Sequence, residues 1–250
     1  MIGGDNSEGL TKRMFSLTVS AATGVAIGGW KELPPMPIPR NSASACTVGD
    51  KIFVFGGFND SSYLSSCDVY DCKKCAWMSP GTVPPMRIAR ASMAVAVIED
   101  RIFLFGGFSN RTWRSRAEVY DTKTNSWTEL PLMPTQRSAA CAAVVDERFI
   151  WVIGGSSKGK SLNVIEAFDS RNNEWLIPKV ELPFECSEAR AAVVVDYSPL
   201  ARMKKSLVVI GGSIQGSPSG SVMQLDLESF EWKSINSMIH NRRAFDAVGF

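Results

Sequence analysis

The chain has 250 residues, 45% of them apolar, and its 27 basic and 25 acidic side chains leave a net charge of +2. This balance lacks the basic excess of a nucleic-acid binder, and no apolar run approaches the roughly 18 residues that cross a bilayer, so neither nucleic acid nor membrane is expected as a partner. The six cysteines show no even framework of spacings, which favours a reduced, cytoplasmic protein.

The N-terminal segment holds an incomplete set of short strands. Residues 2–4 read as the end of one strand, residues 15–19 as the next, and Trp30 as the start of another after an insertion. The strand that should precede them, judged by the units that follow, is missing. This segment predicts a partial repeat over residues 1–38.

A pattern of glycine, apolar and acidic residues then recurs four times. An apolar run ends in two glycines, a large apolar residue followed by aspartate comes next, and a tryptophan stands twenty residues after the second glycine. The glycines permit a positive φ and the close approach of a neighbouring ring, the apolar positions supply faces for packing, and the aspartates can cap backbone amides in a turn. The structural positions of the four units are Gly56, Gly57, Tyr70 and Trp77; Gly106, Gly107, Tyr120 and Trp127; Gly154, Gly155, Phe168 and Trp175; and Gly211, Gly212, Leu225 and Trp232.

A repeat near 50 residues that encodes four short antiparallel strands is typical of a propeller blade, so the chain is predicted to be an all-β propeller in a single domain over residues 1–250. The blades are expected at about residues 39–88, 89–135, 136–188 and 189–241. Residues 243–250 resemble the opening strand of a further unit and would complete the partial blade at the N-terminus. This gives five repeat frames, and the alternative is a truncated six-bladed propeller.

The paired glycines, the tyrosine-aspartate step and the tryptophan together resemble the kelch repeat over residues 1–250. The resemblance implies a kelch-type β-propeller that binds proteins, such as the substrate-recognition part of a kelch-like adaptor for a cullin-RING ubiquitin ligase. That role would need a BTB or F-box segment outside this chain to reach the cullin. Two alternatives follow from the same resemblance: an actin-binding kelch protein and a kelch-fold enzyme.

Two short motifs suggest chemistry that the repeat argues against. Residues 154–161 fit a phosphate-binding pattern, but the next segment occupies a strand position, whereas a phosphate loop must lead into a helix. Cys72 and Cys75 have the separation of a zinc or redox pair, yet zinc needs four ligands and the chain has one histidine, His240. No catalytic, cofactor-binding or metal-binding residue is therefore predicted.

The predicted binding surface consists of loops at one end of the blades, where the entry to the first strand and the connection between the second and third strands emerge together. An arginine opens each unit, and the connecting loops carry aromatic residues and cations. The predicted partner-binding residues are Arg40, Arg90, Arg137, Arg190, Arg243, Tyr63, Arg111, Trp113, Arg114 and Arg116. The kelch resemblance implies an acidic partner segment for the arginines. The alternative is structural, with each guanidinium tying its blade to backbone carbonyls.

Overall fold

The computed structural model describes residues 2–6, 9–20, 25–196 and 204–243, and within these ranges the regular structure consists of β-strands. Residue contacts divide the chain into two compact units, residues 1–91 and 92–250, called here the N-terminal unit and the C-terminal unit. None of the described residues belongs to a helix long and apolar enough to span a membrane.

In the N-terminal unit, the residues that the structure describes form a three-stranded and a four-stranded antiparallel sheet. The three-stranded sheet has the order β1 (Ile2–Asn6), β2 (Gly9–Ser16) and β3 (Lys31–Leu33). The four-stranded sheet, the second blade, has the order β4 (Ser44–Val48), β5 (Lys51–Phe55), β6 (Cys67–Asp71) and β7 (Ala76–Trp77). The strand predicted at residues 15–19 instead spans Gly9–Ser16, where it pairs with β1, and Val19 makes only an isolated bridge to Ala26.

The described residues of the C-terminal unit form three four-stranded antiparallel blades, each with a two-stranded hairpin between its second and third strands. The third blade comprises β8 (Ala94–Ile98), β9 (Arg101–Phe105), β10 (Phe108–Ser109), β11 (Thr112–Trp113), β12 (Ala117–Asp121) and β13 (Ser126–Leu130). The fourth comprises β14 (Cys141–Val145), β15 (Phe149–Ile153), β16 (Ser156–Ser157), β17 (Lys160–Ser161), β18 (Ile165–Asp169) and β19 (Glu174–Leu176). The fifth comprises β20 (Arg190–Asp196), β21 (Lys204–Ile210), β22 (Ser213–Ile214), β23 (Ser217–Pro218), β24 (Val222–Asp226) and β25 (Trp232–Ile235).

These sheets confirm the predicted class, an all-β chain built from four-stranded antiparallel propeller blades. The predicted closing strand at residues 243–250 lies outside the described residues except for Arg243.

The glycine pairs are required by the backbone rather than by a ring. Gly155 has φ of 95°, and a Cβ there would lie 2.7 Å from the carbonyl oxygen of Ser138 and 2.9 Å from the Cβ of Ala140. Its N–H donates to the carbonyl of Cys186, which precedes the next blade. The neighbour that excludes a side chain is therefore mainly backbone, not the aromatic ring that the sequence suggested.

The aromatic positions pack one blade on the next, as predicted. The ring of Trp175 lies 5.2 Å from Phe168 of its own blade and 5.4 Å from Phe105 of the third blade, centroid to centroid. Its indole N–H donates to the carbonyl of Pro131 at 2.9 Å. The apolar faces of these rings are buried between blades, and the indole N–H keeps a hydrogen bond. This arrangement stabilises the packing of one blade on the next.

The repeated aspartates cap turns, as the sequence also predicted. Asp226 Oδ1 accepts from the amides of Glu228 at 2.8 Å and Ser229 at 3.2 Å. The hydrogen bond from Lys204 is the main cause that lowers the pKa of the Asp226 carboxyl from 3.8 to about 2, and the two amide bonds add to it. The equivalent carboxylates Asp71, Asp121 and Asp169 accept from turn amides in the same way.

Candidate functional site

Three of the predicted arginines, Arg40, Arg90 and Arg137, are buried rather than displayed on a surface. Arg137 Nη1 donates to the carbonyls of Gly154 and Val164, both at 3.0 Å. Arg40 Nη1 likewise donates to the carbonyl of Gly56 at 2.9 Å. These bonds support the structural alternative, in which the guanidinium ties the entry of one blade to the glycine turn that follows.

Each of these bonded guanidinium groups also faces a buried carboxylate. Arg137 Nη2 lies 2.9 Å from Glu166 Oε1, and Arg40 pairs with Asp68. Burial lowers the pKa of Arg137, while the Glu166 carboxylate opposes that shift. The two charges stay together in the folded protein, because separating them would leave each one buried without a partner.

The acidic partners follow a spacing that was not recognised in the sequence. Asp68, Glu118 and Glu166 each stand eleven residues after the second glycine of their unit, and all three are buried. In the fifth blade, Met223 occupies this position. The signal available in the sequence was therefore an acid that recurs in three units and is absent from the last.

Backbone bonds correct the repeat alignment at two of the predicted arginines. The second glycine of a unit donates to the carbonyl of the residue that opens the next unit, as in the bond from Gly107 to Arg137 at 2.9 Å. By the same bond, Gly155 selects Cys186 and Gly212 selects Arg242. Cys186 and Arg242, not Arg190 and Arg243, are thus the structural equivalents of Arg137.

Cys186 and the two arginines predicted in this region, Arg190 and Arg243, have different surroundings. Cys186 Sγ lies 3.5 Å from the carbonyl of Gly211, the position that corresponds to Gly154, so a thiol replaces the guanidinium there. Arg190 begins β20, is partly buried, and donates from Nη1 to the carbonyl of Ala189 at 3.0 Å. Arg243 is exposed and lies 3.6 Å from the carboxylate of Glu188.

The remaining predicted residues of the C-terminal unit share one loop, residues 108–116, called here the basic hairpin. Its base is held by Trp113 against Phe108, with ring centroids 5.1 Å apart. Arg114 Nε donates to the hydroxyl of Ser109 at 3.1 Å, which fixes that side chain across the hairpin. Arg116 pairs with Glu129, whereas Arg111 is exposed at the tip.

Tyr63 lies in the equivalent loop of the N-terminal unit. Its ring packs against Phe58 with centroids 5.1 Å apart, the same separation as in the basic hairpin. The loops after the second strands of the second and third blades therefore share an aromatic pair at their base. The basic hairpin adds Arg111, Arg114 and Arg116 to this arrangement.

The two motifs considered for other chemistry take the positions that the repeat assigns to them. Ser157 and Lys160 form a β-hairpin pair, so the phosphate-like sequence leads into a strand and not a helix. Cys72 and Cys75, called here the turn cysteines, are exposed free thiols in the turn before β7. Among the described residues, no cluster of three or more His, Cys, Asp or Glu side chains could hold a metal ion.

Comparisons with known proteins agree with this architecture. The sequence pattern of the KLHDC2/KLHL20/DRC7 Kelch-repeats domain matches residues 1–196. The chain is 33% identical to Kelch-like protein 4 of Homo sapiens over 48 residues, which are 19% of this chain and 7% of that protein. It is 38% identical to Kelch-like protein 41a of Danio rerio over 71 residues, 28% of this chain and 11% of that protein.

A plant protein gives a similar match. A putative F-box/kelch-repeat protein of Arabidopsis thaliana is 41% identical over 49 residues, 20% of this chain and 13% of that protein. The matched segments thus span only a small part of the length of these relatives.

Proposed function

Since this chain belongs to the KLHDC2/KLHL20/DRC7 Kelch-repeats domain family, a family of protein-interaction modules, we propose that it recognises substrate proteins for a cullin-RING ubiquitin ligase. The partner contact is an acidic segment, and the surface that receives it includes the basic hairpin. The link to the cullin is made through a BTB or F-box domain, and the plant relative is named an F-box/kelch-repeat protein.

The observation that carries this proposal is the composition and geometry of the basic hairpin. Residues 108–116 contain three arginines and no carboxylate, although the chain as a whole is nearly neutral. Trp113 is partly exposed, is fixed by its contact with Phe108, and stands in the sequence between Arg111 and Arg114. An aromatic anchor with cations around it suits an acidic segment that carries an apolar residue.

The buried arginines take a different part in this proposal. Arg40 and Arg137 donate hydrogen bonds to backbone carbonyls and pair with buried carboxylates, so they position the loops and do not contact the partner. Arg190 and Arg243 remain proposed contacts of the C-terminal unit, and Tyr63 remains a proposed contact of the N-terminal unit. A charge-assisted hydrogen bond contributes about 1.5–3 kcal/mol, so one lost contact weakens binding roughly tenfold or more.

The experiment is affinity capture of partners with the full chain, followed by titration of each purified partner against variants. Arg111→Ala is expected to weaken binding about tenfold without lowering the melting temperature, because its side chain is exposed at the tip of the loop. Trp113→Ala is also expected to weaken binding about tenfold, and its melting temperature reports separately on the lost contact with Phe108. Arg171→Ala is the matched control, since Arg171 is an exposed cation in the turn after β18, at the other end of its blade. Equal affinity of all three variants would contradict the proposed surface.

The ligase role and its alternatives have separate tests. The ligase role would be supported if the complete protein, together with a cullin, ubiquitinated the captured partners. A form without the adaptor domain should then fail to do so. Co-sedimentation with filamentous actin would instead favour the actin-binding alternative.

A further inference from the structure

An apolar groove opens between the fourth and fifth blades, at the end opposite the hairpins that follow the second strands. It has a volume of about 670 Å³. Three large apolar side chains at its rim are exposed to unusual degrees: Ile177 by 72%, Phe230 by 51% and Leu176 by 41%. A cavity of this size lies within the range of about 300–1,000 Å³ that holds small ligands or a few side chains.

The apolar residues that line the groove differ from those of the neighbouring repeat. Spacing from the glycines and tryptophans places Phe149, Leu176, Ile177, Leu227 and Phe230 at positions that carry Arg101, Thr128, Glu129, Ser170 and Asn173 one repeat earlier. Five polar residues have thus become apolar around one opening. The packing of the blades does not require this change, because the third and fourth blades pack with the polar set.

The backbone at Phe230 gives a second, independent indication. Phe230 has φ of 58°, in the left-handed region that disfavours bulky side chains, and the equivalent Cys75, Asn125 and Asn173 adopt φ of 51°, 52° and 60°. The turn therefore imposes this conformation in each of these blades, and Phe230 is its bulkiest occupant. Asparagine tolerates this conformation, whereas a half-exposed phenylalanine adds strain without becoming buried. Strain of this kind at an open groove is typical of a binding site.

The charge around the groove is also reversed relative to the other repeats. Glu228 lines the groove, and its equivalents in the second, third and fourth blades are Lys73, Lys123 and Arg171. The two other charged side chains of the lining, Asp146 and Lys205, pair with each other at 2.6 Å. The groove therefore carries a net negative charge beside its apolar floor.

We propose that this groove binds a segment of a partner protein in which a large apolar side chain stands next to lysine or arginine. The apolar side chain enters between Leu176 and Phe230, and the cation pairs with Glu228. This surface is distinct from the basic hairpin in its residues and in the chemistry that it selects, so the two sites bind different segments.

The test uses the full chain and short fluorescein-labelled synthetic peptides, followed by fluorescence polarisation. One peptide has a central Trp-Leu pair flanked by lysines, a second has the same pair flanked by glutamates, and a third has alanines between lysines. Binding of the first peptide at least about tenfold tighter than of the other two is expected.

The variants restore residues of the neighbouring repeats. Leu176→Thr combined with Phe230→Asn is expected to weaken the lysine-flanked peptide about tenfold, and Glu228→Lys is expected to reverse the preference between lysine and glutamate flanks. Ile239→Thr is the matched control, because Ile239 is 95% exposed and lies outside the groove. Its affinity should stay within about twofold of the parent.

Several results would overturn the proposal. These are undetectable binding of every peptide, unchanged binding in the double variant, or equal binding of the two flanking charges. Sedimentation showing a dimer of the parent that dissociates in the double variant would also overturn it, because the groove would then be an interface between copies of this chain.

Discussion

The pair formed by Arg137 and Glu166 allows the structural role of the buried arginines to be measured. Substituting Arg137→Cys removes two bonds to carbonyls, at 3.0 Å each, and leaves the Glu166 carboxylate buried without its partner. Breaking a buried ion pair in this way typically costs about 3–5 kcal/mol. Since domains of this size are stable by about 5–15 kcal/mol, the loss should be visible as a large shift of the unfolding midpoint.

The fifth blade supplies the matched double variant. It replaces the arginine with Cys186 and the acid with Met223, and it folds with the same strand order. Arg137→Cys combined with Glu166→Met should therefore lose only about 1–2 kcal/mol, because no charge is left buried alone and a thiol can reach the glycine carbonyl.

The assay is urea unfolding followed by tryptophan fluorescence, with the midpoint and the slope compared among the parent, both single variants and the double variant. If the double variant loses as much as the sum of the single variants, the two side chains do not act as a pair. If Arg137→Cys is as stable as the parent but loses partner affinity, the arginine is a binding residue and the reasoning from burial fails.

Three further predictions follow from the turns and thiols. Gly155→Ala should lower the melting temperature more than Gly159→Ala, because both have positive φ but only the first would place its Cβ against backbone, and a direct comparison of melting curves checks this. The carboxylate of Asp226, whose pKa is lowered to about 2, should stabilise the fold fully above pH 3.8 and lose that effect as the pH falls towards 2, so Asp226→Asn should flatten the dependence of stability on pH in this window. The turn cysteines should react with iodoacetamide in the native protein before Cys141, because burial raises the pKa of the Cys141 thiol to about 12, and peptide mass mapping would detect the reverse order.

The sequence alone determined the blades, because their signals are local. The spacing of twenty residues from the second glycine to the tryptophan is constant, so strands such as β15 and β18 could be located without knowledge of their neighbours. The turn aspartates were equally accessible, since a carboxylate caps amides only two or three residues away.

Only the tertiary structure decided the role of the arginines. Arg137 is buried because later strands of its own blade supply two carbonyls and a carboxylate, from residues 17 to 29 positions further along the chain. No local pattern reveals that enclosure. The same limit explains the misplacement of Arg190. The segment before its glycines is longer, and matching residue types could not show that the backbone bond from Gly155 selects Cys186.

The groove residues illustrate the remaining gap between sequence and structure. An exposed Ile177 or Phe230 reads as an irregular position within its own repeat. These two residues can be recognised as parts of one groove only when two consecutive blades place them around the same opening, because 53 positions separate them in the sequence. The sequence therefore fixes each repeat through short-range spacing, whereas surfaces formed between repeats depend on long-range packing that it does not display.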